Sequence, residues 1–239
     1  MNLLNIKPLG EKAISVDFPE EISVKRLKEV LYLKKHLEQL EMEGIIEMIN
    51  AYSSLLIHFN PFEIQYATIV DEIRKVQIPE GALEADEKTK CAIIPVCYKP
   101  HLAPDLEEYL ERKKLSLDQF VELHSGIRYM FYMYGFVPGF MYFGGLDSRL
   151  HCHRKHKPTL GVPSGSVAIG GAQTGVYALN SPGGWHVIGR TPLSLIEINI
   201  HGNVIQPGDE VIFKPVDTAS FVHIQNEQKE GKYKIDFLE

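Results

Sequence analysis

Residues 161–192 read GVPSGSVAIGGAQTGVYALNSPGGWHVIGRTP. Three strand-sized apolar runs, Val167-Ala168-Ile169, Val176-Tyr177-Ala178-Leu179 and His186-Val187-Ile188, are separated by turn chemistry. Glycine fills eight of the 32 positions. It admits positive φ and close backbone approach, and it weakens strand interiors. Such a density predicts a tightly turning sheet whose loop amides stand exposed around a concave surface. The polar side chains in those loops are Ser164, Ser166, Gln173, Thr174, Ser181, Arg190 and Thr191. They can hydrogen-bond or hold an anion, but no two of them form a nucleophile beside a base. The stretch predicts a binding or catalytic mouth on an all-β unit.

Upstream, residues 127–143 are rich in aromatics and methionines and break at Gly135 and Pro138-Gly139, the composition of a core strand and the bend after it. Two helices precede them. Pro104 opens the first, with Asp105, Glu107 and Glu108 at its start and Arg112, Lys113 and Lys114 at its end, complementing the macrodipole. Ser116 and Gln119 form a capping box for the second. Downstream, residues 193–200 read as a strand, Gln206-Pro207-Gly208-Asp209 as a turn and 210–213 as a closing strand. Strands at this spacing suit a barrel or a sandwich.

The N-terminal part has a different rhythm. Residues 12–18 alternate as a strand, 23–42 carry one apolar helical stripe, and 45–51 and 55–59 read as two strands. Asn60, Pro61 and Glu63 resemble the N-cap, first and third positions of a further helix. The order β-α-β-β-α becomes a ferredoxin-like layer if a strand at 90–97 completes it; otherwise that strand opens the next domain. The polar, acidic segment between Pro79 and Lys90 reads as a linker. The predicted class is α+β, with domains at 1–88 and 89–239.

The 239 residues suffice for one large or two ordinary domains, and 44% hydrophobic with 23% charged is a globular composition. A net charge of −6 argues against a general nucleic-acid or anionic-membrane surface. Three cysteines, an odd count without framework spacing, suit a reducing compartment. With neither a signal-peptide core nor an apolar run of about 18 residues, the expected location is cytoplasmic.

Candidate chemistry is sparse. No GxxxxGK[ST] is present, and Gly170–Gly175 leads into a strand rather than a helix, so the loops are barrel turns or, at most, amide nests for an anion. His151, Cys152, His153 and His156 are interleaved with Arg154, Lys155 and Lys157. Cation repulsion disfavours a divalent metal there, and we assign no metal site. That loop, the only concentrated positive charge, suits a phosphate or an acidic partner. No GxSxG occurs. His124, ending a capped helix, is either a general base or a cap for the last carbonyls. Trp185, the sole tryptophan, is either an anchor for a ligand or partner or a plug for the barrel. Glu197 is expected to face solvent from an alternating strand.

Together with Tyr134-Gly135-Phe136-Val137-Pro138-Gly139-Phe140 and Gly144-Gly145-Leu146-Asp147, the strings SPGGWHVIGRTP and VPSGSVAI resemble the family of 5-oxoprolinase B subunits. That family includes the Bacillus inhibitor of the sporulation sensor kinase and also carries the label of first subunit of allophanate hydrolase. The resemblance is strong over about residues 90–215. It implies a cyclophilin-like β-barrel, C and A subunits as partners, ATP with Mg2+ in the complex, and ATP-dependent opening of 5-oxo-L-proline to L-glutamate. The chain would then be a hydrolase subunit, inactive alone. The alternative that the family implies is inhibition of a sensor histidine kinase by direct binding. Carried over by position, the resemblance puts His124, Gln173 and Arg190 in catalysis and Ser166, Thr174, Tyr177, Ser181, Gly183, Gly184, Trp185 and Thr191 in the ligand site. Thr159 stands where relatives often place arginine, and Ser164 and Ala178 replace the usual alanine and proline.

Overall fold

The structure, a computed structural model, describes residues 4–19, 22–79, 89–135, 137–200 and 205–238. The chain divides into two compact units, Met1–Lys88 and Thr89–Glu239. Most of the segment read as a linker, residues 80–88, lies outside the described residues.

The first unit contains β1 (Asn5–Leu9), β2 (Ala13–Asp17), α1 (Val24–Gln39), β3 (Ile45–Asn50), β4 (Ser54–Phe59) and α2 (Tyr66–Lys75). The four strands form one sheet in the order β1-β2-β4-β3 with every pairing antiparallel. Ile14 lies opposite Ile57 and Val16 opposite Leu55, so alternate residues of the two central strands share one face. Val30, Leu33 and Leu37 of α1 and Ile69, Val70 and Ile73 of α2 close over that face to make the core. Ser23 caps α1 by accepting a hydrogen bond from the Arg26 amide.

Of the two readings of the strand at 90–97, the second holds: it belongs to the next unit's sheet, and the edge beside β2 is taken by β1, absent from the sequence reading. One expectation fails. The helix expected from Asn60 begins only at Tyr66. Asn60 instead closes an isolated turn: its side-chain oxygen accepts from the Phe62 amide and its carbonyl from those of Glu63 and Ile64. Gln65, with φ −84 and ψ 145, then breaks the helical path.

The second unit runs β5 (Cys91–Val96), α3 (Leu106–Lys113), α4 (Leu117–Ser125), β6 (Tyr129–Tyr134), β7 (Met141–Gly144), a 3-10 turn at Ser148–Leu150, β8 (Thr159–Val162), β9 (Ser166–Gly170) and β10 (Gln173–Val176). It continues with β11 (Ser181–Gly183), β12 (His186–Arg190), α5 (Leu195–Ile200), β13 (Glu210–Pro215), α6 (Thr218–Lys229) and β14 (Asp236–Leu238). One mixed sheet has the order β12-β9-β10-β7-β6-β13-β5-β14, and β8 pairs with β11 in a separate two-stranded sheet. Only β5 and β13 run parallel among the described strands.

The large sheet is not the closed barrel that the resemblance implies. Between β12 and β5 the ladder is reduced to one antiparallel bridge, Cys97 with Arg190, and β14 takes the same edge of β5, away from β13, at Cys91–Ile93. The fold is a mixed α/β one. Residues 193–200 are also not a strand: α5 occupies Leu195–Ile200. A short apolar run carries no period that separates strand from helix. Here Leu195 and Ile198, three residues apart, meet the same core, which is the helical solution.

Alternation divides the sheet into two packed faces. Val167 and Ile169 of β9 point into the main core with Phe131, Phe143, Ile188, Val211 and Phe213. Ala168 points the other way, into a smaller cluster with Phe140, Val162, Tyr177, Trp185 and Val187. The capping box at the start of α4 is present in full: Ser116 Oγ accepts from the Gln119 amide at 3.2 Å and Gln119 Oε1 from the Ser116 amide at 2.9 Å. Ser116→Ala should therefore cost about 1 kcal/mol of stability. Urea denaturation should show a lower midpoint at unchanged m-value.

Candidate functional site

The residues singled out in the sequence go to three different places in the second unit. His124 and Thr174 lie in the main core, both fully buried. Tyr98 Oη is 2.8 Å from His124 Nδ1, and Thr174 Oγ1 is 3.1 Å from Nε2. The Thr174 hydroxyl donates to the Ala168 carbonyl, so it accepts from Nε2–H, and Nδ1 accepts from the Tyr98 hydroxyl. Rings of Phe120 and Phe213 stack on the imidazole at 5.7 and 4.9 Å. Burial pushes its pKa down to about 3. This is a neutral histidine with both nitrogens satisfied, and Tyr129 Oη, not its side chain, bonds the His124 carbonyl.

The second group lies on the opposite face, under the β8–β11 layer. Trp185 is buried. Phe140 and Tyr142 meet its ring edge-on, each with centroids 5.5 Å away, and the Arg154 guanidinium lies 5.8 Å from its centroid. The indole rests on Gly170, where a Cβ would stand 2.5 Å from the ring. Of its two possible roles, Trp185 takes that of a packed plug, and it is not at an open mouth with Arg190; the two stand at opposite ends of β12. Tyr177 is buried beside Trp185 and Gly183, and burial raises its phenol above the usual value, so it remains a proton donor. The Gly184 carbonyl accepts from the Lys155 amide. Ser166 Oγ and Ser181 Oγ are buried without a hydrogen-bond partner among the described residues. Gln173 opens β10 opposite Gly170.

Arg190 and Thr191 form the third group, in a cleft of about 220 Å³. Gly165 shapes the turn beside it. With φ +80 and a carbonyl 2.5 Å from where a Cβ would be, no other residue fits. Its amide donates to the Tyr177 carbonyl and its carbonyl accepts from Thr191. Arg190 is fixed by its backbone bridge to Cys97 and by Nε–H donation to the Ser164 carbonyl at 3.0 Å. Its terminal nitrogens have no protein partner among the described residues. The opposite wall is one that sequence reasoning misses. Gln228 of α6 clasps Ser194, accepting from its amide at 2.7 Å and donating to its carbonyl at 3.1 Å. Lys229 and Glu197 complete the lining. Glu197 is exposed, as expected, but it stands on a helix rather than a strand and lines the cleft. The one sequence signal for α6 is Asp217, whose side chain caps it by accepting from the Ser220 amide. Two cations against one carboxylate suit a small anion.

Residues 4–203 match the family described as the carboxyltransferase domain, subdomain C and D. The chain is 32% identical to the B subunit of 5-oxoprolinase from Bacillus subtilis, over 92% of each chain. It is 35% identical to the B subunit of 5-oxoprolinase from Escherichia coli O157:H7, over 87% of this chain and 94% of that one. The chain belongs to the family of 5-oxoprolinase B subunits. The crystal structure of TTHA0988 superposes with a TM-score of 0.75 at 28% identity, over 86% of this chain. The chain spans 40% of the length of TTHA0988. Among the described residues of this family member, no helix is long and apolar enough to cross a membrane.

Burial makes two residues testable. In the unfolded chain an imidazole takes up a proton below about pH 6.5, which folded His124 resists down to about 3. Its stabilising contribution is complete above pH 6.5 and is lost as the pH falls from there towards 3. Urea midpoints should decline across that window in the wild type and decline less steeply in His124→Gln. The imidazole resonances of native His124 should not titrate above about pH 5. Gly170→Ala should displace the indole and cost about 1–3 kcal/mol. As Trp185 is the only tryptophan, its emission should shift to the red and become quenchable by acrylamide.

Proposed function

We propose that this chain is the B subunit of an ATP-dependent 5-oxoprolinase, acting with A and C subunits to open 5-oxo-L-proline to L-glutamate. Its family membership supports the reaction, and the Arg190 cleft supports the part taken by this chain. The substrate is a small lactam that carries one carboxylate. A guanidinium already tethered through Nε, with its terminal nitrogens free of partners among the described residues, suits charge-assisted binding of that carboxylate. Lys229 adds a second cation, and Glu197 offers an acceptor for the lactam N–H.

The cleft does not fit the other reactant. At about 220 Å³ it falls below the roughly 300–1,000 Å³ of sites for larger ligands. On this reading the Arg190 surface takes the lactam and not ATP. Nor does the cleft contain a nucleophile paired with a base, and His124 is neutral inside the core. The chain binds and orients substrate while the assembled complex supplies activation and water.

Reconstitution tests the proposal. The complex of all three subunits should release glutamate from 5-oxoproline only when ATP is present, and omission of this chain should abolish turnover. Arg190→Ala should raise KM for 5-oxoproline about tenfold to a hundredfold, with a smaller change in kcat. Arg190→Lys should recover part of the loss. Full turnover by the A and C subunits alone would overturn the reading.

A further inference from the structure

At the far end of β12 from Arg190, a second cleft of about 510 Å³ opens against the loop 152–158. Its lining includes Arg112, Arg154, Lys155 and Lys157 against a single carboxylate, Glu108, in a chain whose net charge is −6. The size suits a small-molecule ligand rather than a flat protein footprint. Most of the cations are held in place by the fold. Lys155 Nζ lies 2.7 Å from Asp105 Oδ2 and 2.8 Å from Thr159 Oγ1, and its backbone amide donates to the Gly184 carbonyl. Asp105 itself is pinned by the Val187 amide at 2.7 Å. Arg154 lies over the buried Trp185 ring, and Arg112 is braced by Glu108 at 2.5 Å.

Other donors are unused. The side chains of His153, His156 and Lys157 are exposed, line the same cleft and have no hydrogen-bond or ion-pair partner among the described residues. His186 Nε2–H donates to the His153 carbonyl at 3.0 Å, tying the start of the loop to β12. A concave site with braced cations and several unspent N–H donors matches a multiply charged oxyanion, whose many acceptor oxygens exceed what one carboxylate needs.

We propose that this cleft binds the phosphate groups of a small phosphorylated ligand, a free diphosphate or the polyphosphate of a nucleotide. The inference does not depend on the oxoprolinase reading, since binding is measured on this chain alone. Calorimetric titration of the purified full chain at low salt should show saturable binding of pyrophosphate and of ATP, and much weaker binding of citrate. Similar affinities for pyrophosphate and ATP would identify the phosphates as the whole determinant, whereas a tighter ATP complex would identify a nucleotide ligand. Lys157→Ala removes an exposed, unpaired ammonium, so the fold should persist, as unchanged Trp185 emission would show. This variant should weaken pyrophosphate about tenfold, while Arg190→Ala should leave the affinity within about twofold. Imidazole resonances of His153 and His156 should shift on titration. Absence of binding, equal affinity for citrate, or loss of binding in Arg190→Ala rather than in Lys157→Ala would each overturn the proposal.

Discussion

The second unit depends on one pair of backbone hydrogen bonds, between the Cys97 amide and the Arg190 carbonyl at 2.8 Å and in the reverse sense at 3.0 Å. These bonds join the first strand of an eight-stranded sheet to the end of β12, drawing the sheet round although the ladder does not close. A sheet left fully open would expose the edge groups of β12 to water or to other chains. The bridge also determines where Arg190 begins. The next residue, Thr191, is held by the Gly165 carbonyl, and the Arg190 side chain by the Ser164 carbonyl. A cleft-lining residue on a sheet edge thereby acquires the rigidity of a central one.

The two faces of this sheet serve different ends. One face is the main core, and there a histidine that would be costly to bury charged is buried neutral, with a hydroxyl on each nitrogen. The other face is a thinner layer in which glycine replaces side chains so that Trp185 can lie flat against the strands. The indole fills space that Cβ atoms at Gly170 and Gly175 would occupy. The glycine-rich sequence is in part a packing requirement, and its loops carry polar groups only where the strands end.

Legibility in the sequence follows locality. The capping box at Ser116 and Gln119 is specified within four residues and is plain from them alone. The strands at 167–169 and 186–188 lie between glycines and are equally plain. Pairing is harder. β5 joins β13, whose residues follow more than a hundred positions later, and no local signal distinguishes that from an edge position in the first sheet. α5 is ambiguous because a short run of leucine and isoleucine carries no period. α6 escapes notice because Phe221 is its only buried residue, so its apolar stripe is weak. Without α6 there is no Gln228 or Lys229, and one wall of the Arg190 cleft is lost. The family resemblance picks out residues as a set but does not say which are buried. His124 and Trp185 are found in packing, Arg190 and Thr191 at a cleft.

This distribution bears on why the described residues show no complete catalytic constellation. A base must reach solvent or substrate, and burial keeps His124 neutral yet out of reach. Most of the charged groups that remain accessible are cations: Arg190 and Lys229 beside Glu197 in one cleft, Arg154, Lys155 and Lys157 beside Glu108, His153 and His156 in the other. Cations of this kind bind and orient anions and stabilise charge, but they neither attack a carbonyl nor remove a proton from water. Separate cationic clefts at the two ends of β12 would allow two anionic groups to be held without competing for the same donors. On the function proposed above, such an arrangement would position reactants and leave the bond-breaking chemistry to whatever completes the surface, the division of labour expected of one subunit in a shared active site.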